Sequence, residues 1–197
     1  MAGVSPAGIP VVAAGAAAST VRPTRNPMTA DELRSLQAPL KTKYRENPDT
    51  ALVTLRAEGR LGPNVTCKIE SGKGHVEAGL HPATGGDGRS ACSAEALLEA
   101  LVGCAGVTLN AVATALNIPL RTAKIRAEGD LDFRGTLGVS KDVAVGFKQI
   151  RLNFDIDTDA TEEQIATLVR LAERYCVVYQ TLSQRNAIDV SHRVISR

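Results

Sequence analysis

The stretch Ala94–Leu116 constrains the fold more than any other part of the chain. Apart from Cys104, only Glu95, Glu99, Thr108, Asn110 and Thr114 are polar in it. A helix without a clear wet face has to be covered on several sides, so this one is expected at the centre of the molecule. Ser93 stands where an N-cap belongs, and Asn117 and Pro119 supply the stop.

On both sides of this helix the apolar period changes to two. Val53, Leu55 and Ala57, then Val65, Cys67 and Ile69, then Val76, Ala78 and Leu80 alternate with polar residues and predict three short strands. Pro82–Ser90 reads as a Gly-rich loop shaping a site entrance. Its Gly85-Gly86-Asp87-Gly88 run lacks the Lys-Ser/Thr of a phosphate cradle. Downstream, Ile125, Ala127, Leu131 and Phe133, and then Ile150, Leu152, Phe154 and Ile156, predict two half-buried strands. Thr161 and Gln164 form a capping box opening a second helix, whose apolar residues continue through Cys176 to Tyr179. Ile188, Val190 and Val194 suggest a last strand, with His192 in its apolar register, whereas His75 and His81 border loops as solvated side chains. The order is β-β-β-α-β-β-α-β, an α+β arrangement rather than a doubly wound sheet.

Residues 1–27 are rich in Ala, Gly, Pro and Val, carry only Arg22 and Arg25 as charges, and are expected to be disordered. Residues 28–50 form a short helix and linker: Thr29 and Glu32 make a capping box, and Pro39 is expected to end or kink the helix. The main domain then occupies residues 51–197. With 23 basic against 21 acidic residues, and the positive charges scattered, there is no electrostatic footprint for nucleic acid. No apolar run is expected to span a bilayer, and no secretory signal is evident, so the chain is read as cytoplasmic.

In a reducing compartment the four cysteines, Cys67, Cys92, Cys104 and Cys176, are expected as thiols rather than structural bridges, and their spacing fits no zinc motif. Cys67 reads as a small hydrophobe on a strand, and Cys92 as a loop thiol beside the helix start. Cys104 and Cys176 each fall on the side of a helix expected to be buried. They are either two inert core residues or a facing pair within bonding range. A reactive pair needs a cation or hydrogen-bond donor to hold one thiolate. Arg60, in a Gly-Arg-Leu-Gly turn, and Arg89 are the candidate cations, with Glu95 or Glu99 to orient the guanidinium.

The segment Ser93–Cys104, with the Gly-rich loop before it and Ala105–Leu109 after it, resembles the first-cysteine region of the OsmC/Ohr peroxidase family. Ala172–Val178 resembles the second. The likeness covers about residues 51–194. It implies two central helices packed on antiparallel sheets in an intertwined homodimer, with active sites at the subunit boundary and no metal or bound cofactor. The implied activity is that of an organic hydroperoxide reductase, a thiol peroxidase. Cys104 would be the attacking thiolate and Cys176 the resolving thiol, Arg60 and Glu95 the nearest matches to the family's Arg and Glu, and a dithiol the reductant. The family commonly has Pro after its second cysteine, where this chain has Val177. Two other classes fit the same residues: a non-catalytic protein of this fold binding an apolar ligand, and a thiol oxidoreductase acting on disulfides.

Overall fold

The computed structural model describes residues 28–63, 65–71 and 74–195. The order is α1 (Ala30–Glu46), β1 (Glu58–Gly62), β2 (Thr66–Ser71), β3 (Gly74–Gly79), β4 (Ala91–Cys92), α2 (Ser93–Ala115), β5 (Thr122–Leu131), α3 (Phe133–Thr136), β6 (Phe147–Asp157), α4 (Glu162–Tyr175) and α5 (Val177–Ser183). The expected disordered segment 1–27 lies outside the described residues.

The strands form two sheets. One has the order β1-β2-β3-β4, antiparallel except for the short β3–β4 pair. The other is the antiparallel pair β5–β6, in which Ile125 faces Phe154, Ala127 faces Leu152 and Gly129 faces Ile150. The alternation read in the sequence gives this pair its two faces. One carries Ile125, Ala127, Ile150, Leu152 and Phe154 onto α2. The other carries ion pairs such as Arg126–Asp155 at 2.7 Å and Arg151–Glu128 at 3.2 Å. These are exposed pairs, worth about 0–1 kcal/mol each, so the burial on the opposite face holds the layers together.

The core is a seam along α2. Leu101, Ala105, Leu109 and Ala113 recur every four residues and are all buried. Leu109 and Ala113 meet Leu168 and Ala172 of α4, while Leu101 and Ala105 meet Cys176. Small alanines alternating with leucines let the two helices approach closely. Contrary to the sequence expectation, α2 is long and apolar enough by length and composition to cross a membrane. Its buried stripe is nevertheless packed against protein. Part of its remaining apolar side stays exposed among the described residues, with Val107 73% exposed.

Several expectations need correction. Pro39 neither ends nor breaks α1, which runs on to Glu46 with none of its residues buried. Ser93 is the first residue of α2 rather than its cap, because the extended residue before it is Cys92. The strand expected at Val53–Ala57 is displaced: residues 52–57 have no regular structure, Leu52 and Leu55 are exposed, and β1 begins at Glu58. The last strand is not formed among the described residues, and Ile188, Val190, Val194 and His192 are all exposed. Both capping boxes form as read, Thr29 with Glu32 and Thr161 with Gln164.

Candidate active site

The second helix does not run through Cys176. It stops at Tyr175, Cys176 adopts an extended conformation with φ −74° and ψ 108°, and α5 starts at Val177. The Cys176 thiol marks the break: it substitutes for the usual Ser or Thr cap, accepting the backbone N–H of Tyr179 at 3.5 Å. The sequence reading placed Cys176 inside a helix; it is instead the joint between two.

That joint lies against α2. Cys176 is 1% exposed and packs with Leu101, Ala105 and the half-buried Cys104, and both cysteines are free thiols. The break matters because the first turn of a helix has backbone N–H groups with no intrahelical partner. Those of Val177 and Val178 act on Cys104 and favour its thiolate. Burial pushes the Cys104 thiol up, but the N–H of Val178, the Cys176 thiol, the N–H of Val177 and the Thr108 hydroxyl together outweigh it. Cys104 is therefore held below its ordinary range. For Cys176 the balance is reversed. Burial pushes it up first, the Tyr179 N–H opposes this, and the thiolate character of Cys104 raises it further. The pair is polarised, with one sulfur favoured as anion and its neighbour as neutral donor.

None of the groups acting on Cys104 is a guanidinium or a carboxylate. Arg60 is exposed on β1, opposite Lys68. Arg89 is exposed beside Asp87, 3.9 Å away. Glu95 and Glu99 lie on exposed positions of α2. The donors acting on Cys104 are backbone groups at the start of α5, which no side-chain motif announces.

The other candidates lie elsewhere. Cys67 sits on β2 between Leu61 and Ala78, and Cys92 caps α2. The Gly-rich loop lines a cavity of about 350 Å³ together with Glu77, and neither Cys104 nor Cys176 is in that lining. His81 is half-buried rather than solvated. It stacks on Phe133 with ring centroids 5.0 Å apart and accepts the Ala83 N–H through Nδ1. The side chain of His75 lies outside the described residues.

The fold is shared with solved structures. An OsmC-like protein from Mycoplasma pneumoniae superposes with a TM-score of 0.57 at 18% identity, covering 66% of this chain and 88% of that one. An organic hydroperoxide resistance protein OsmC from Legionella pneumophila gives 0.53 at 20% identity, covering 66% and 90%. One from Elizabethkingia anophelis gives 0.53 at 17%, covering 66% and 87%. At these identities the likeness is one of fold. No curated protein matches the sequence. The profile of the OsmC-like proteins matches residues 86–193, which include α2, α4, α5 and both central cysteines. The chain belongs to the OsmC-like protein family.

Proposed function

We propose that the protein is a thiol peroxidase that reduces organic hydroperoxides to alcohols. The observation that carries this reading is the polarised pair: Cys104 held towards thiolate, beside a buried Cys176 held as thiol. The Cys104 thiolate attacks the distal oxygen of the hydroperoxide, the O–O bond breaks, and the leaving alkoxide takes a proton to become the alcohol. Cys104 is left as sulfenic acid. The Cys176 sulfur then displaces the sulfenic oxygen, which departs as water, and a Cys104–Cys176 disulfide forms. An external dithiol reduces it by exchange, becoming a disulfide itself. Hydroperoxide resistance in relatives of the same fold supports the substrate class.

The reading keeps Arg60 and Glu95 as an orienting pair, brought to the thiols through the second subunit of a homodimer. The exposed apolar side of α2 and the exposed Leu52, Val53 and Leu55 in the irregular residues 52–57 support an assembly larger than one chain. Peroxide consumption with a dithiol reductant tests the mechanism. Cys104→Ser should lose turnover, and Cys176→Ser should consume one equivalent and stop. Full activity in both variants would overturn it.

A further inference from the structure

An α-helix that ran on past Tyr175 would return the N–H of Val177 to the carbonyl of Glu173, four residues back. That carbonyl has another partner. The half-buried Gln180 of α5 donates its Nε2 to it at 2.9 Å. The bond one residue earlier keeps the helical pattern, from the Cys176 N–H to the Ala172 carbonyl at 2.9 Å. A side-chain amide therefore stands in for a backbone N–H where the helix breaks, and satisfies a carbonyl that the end of α4 would otherwise leave without a donor.

Gln180 is tied to the joint through its other polar groups as well. Its own N–H goes to the Cys176 carbonyl at 2.9 Å and closes the first turn of α5. Its Oε1 accepts the Nε2 of Gln184, one turn further on, also at 2.9 Å, which leaves Nε2 as the atom aimed at Glu173. One residue thus fastens the last turn of α4, the joint and α5. At the joint, the buried Cys176 packs with Cys104. The Val177 N–H that Glu173 does not take is one of the groups that favour the Cys104 thiolate.

We propose that Gln180 is a positioning residue for the thiol pair: by holding the Glu173 carbonyl in place of the Val177 N–H, it keeps the helix open at Cys176 and sets that residue against Cys104. The inference rests on the peroxidase reading for its bearing on turnover and adds to it a residue that acts through the backbone. Without the amide, the Glu173 carbonyl regains the Val177 N–H, α4 extends through Cys176, and the thiol cap and the donors acting on Cys104 are lost together.

The test removes the amide and reads Cys104 without any peroxide. Gln180→Met keeps the length and the helix preference of the side chain but has no donor. Alkylation of Cys104, Cys67 and Cys92 by iodoacetamide is followed across a pH series by peptide mass mapping of the full chain. In Gln180→Met the rise of the Cys104 rate should move to higher pH, and the rate at neutral pH should fall about fivefold, while Cys67 and Cys92 keep their rates. Gln184→Met, at an exposed position that only steadies the amide, should shift the Cys104 profile in the same direction by about twofold. An unchanged Cys104 profile in both variants overturns the proposal. So does a shift that comes only with faster alkylation of Cys67 and Cys92, which would mean that the amide supports the fold at large rather than the joint. Hydroperoxide turnover with dithiothreitol, measured on the same proteins, separates the two readings. Shifted variant profiles, when the unaltered chain turns over no hydroperoxide, keep Gln180 in its role and end the peroxidase reading. Turnover by the unaltered chain with unshifted variant profiles ends the proposal and leaves the peroxidase reading standing.

Discussion

The thiol of Cys104, in the middle of α2, is held down first by the backbone N–H of Val178, the second residue of α5. Two elements distant in sequence thus meet where one has spare hydrogen-bond donors and the other has a thiol. The break at Cys176 makes this possible, since a continuous helix would have used those N–H groups internally.

Val177 sits at the first position of α5, where proline is tolerated because the N–H is not needed for the helix. Here that N–H is one of the groups that hold Cys104 down. Val177→Pro should therefore fold normally and leave Cys104 short of one donor. The second-order rate of Cys104 oxidation at neutral pH should fall roughly fivefold, as expected for a net loss of about 1 kcal/mol on the thiolate. Stopped-flow measurement with excess hydroperoxide reads this directly.

The pH dependence follows from the directions of the two shifts. Cys104 is lowered, so its thiolate fraction, and with it the oxidation rate, should rise with pH and level off below the ordinary thiol range. Cys176 is raised by burial, and so stays protonated across that plateau. Because the Cys176 thiol is one of the groups lowering Cys104, Cys176→Ala should move the rise to higher pH. The check is the rate of single-turnover oxidation between mildly acidic and alkaline buffers.

Leu168 is fully buried where α4 meets Leu109 and Ala113 of α2. Leu168→Ala should cost about 2–5 kcal/mol of stability through lost burial and the cavity left behind. Urea unfolding should show a lower midpoint with an unchanged slope.

Gly86 has a different constraint. A Cβ there would stand 1.7 Å from the Leu80 carbonyl oxygen, a backbone atom that no rotamer can move away. The Gly86 N–H also reaches back to the His81 carbonyl at 3.2 Å. Gly86→Ala should lower the melting temperature, at a cost of roughly 1–3 kcal/mol, while sparing the Cys104–Cys176 chemistry, because the loop lines another cavity.

What the sequence revealed was whatever depends on neighbours along the chain. The faces of β5 and β6 and the two capping boxes come from local spacing, whereas α2, apolar nearly all round, gives no sign of which stripe is buried. What it concealed depends on contacts from elsewhere. Alternation at Ile188, Val190 and Val194 describes a face but not whether a strand exists to pair with it, and among the described residues none does. Cys176 looked helical because its apolar neighbours keep helical spacing through Tyr179, and the thiol cap that interrupts the helix leaves no periodic mark. The pairing of Cys104 with Cys176 came from family resemblance. The donors on Cys104 are backbone groups, and a search for charged side chains could not find them.

Peptide mass mapping under non-reducing conditions, after brief treatment with one equivalent of hydroperoxide, tests the account most directly. A single new crosslink, Cys104 to Cys176, reversed by a dithiol, is the predicted result. Oxidation that leaves these two thiols intact, or that bridges Cys67 or Cys92 instead, would contradict it.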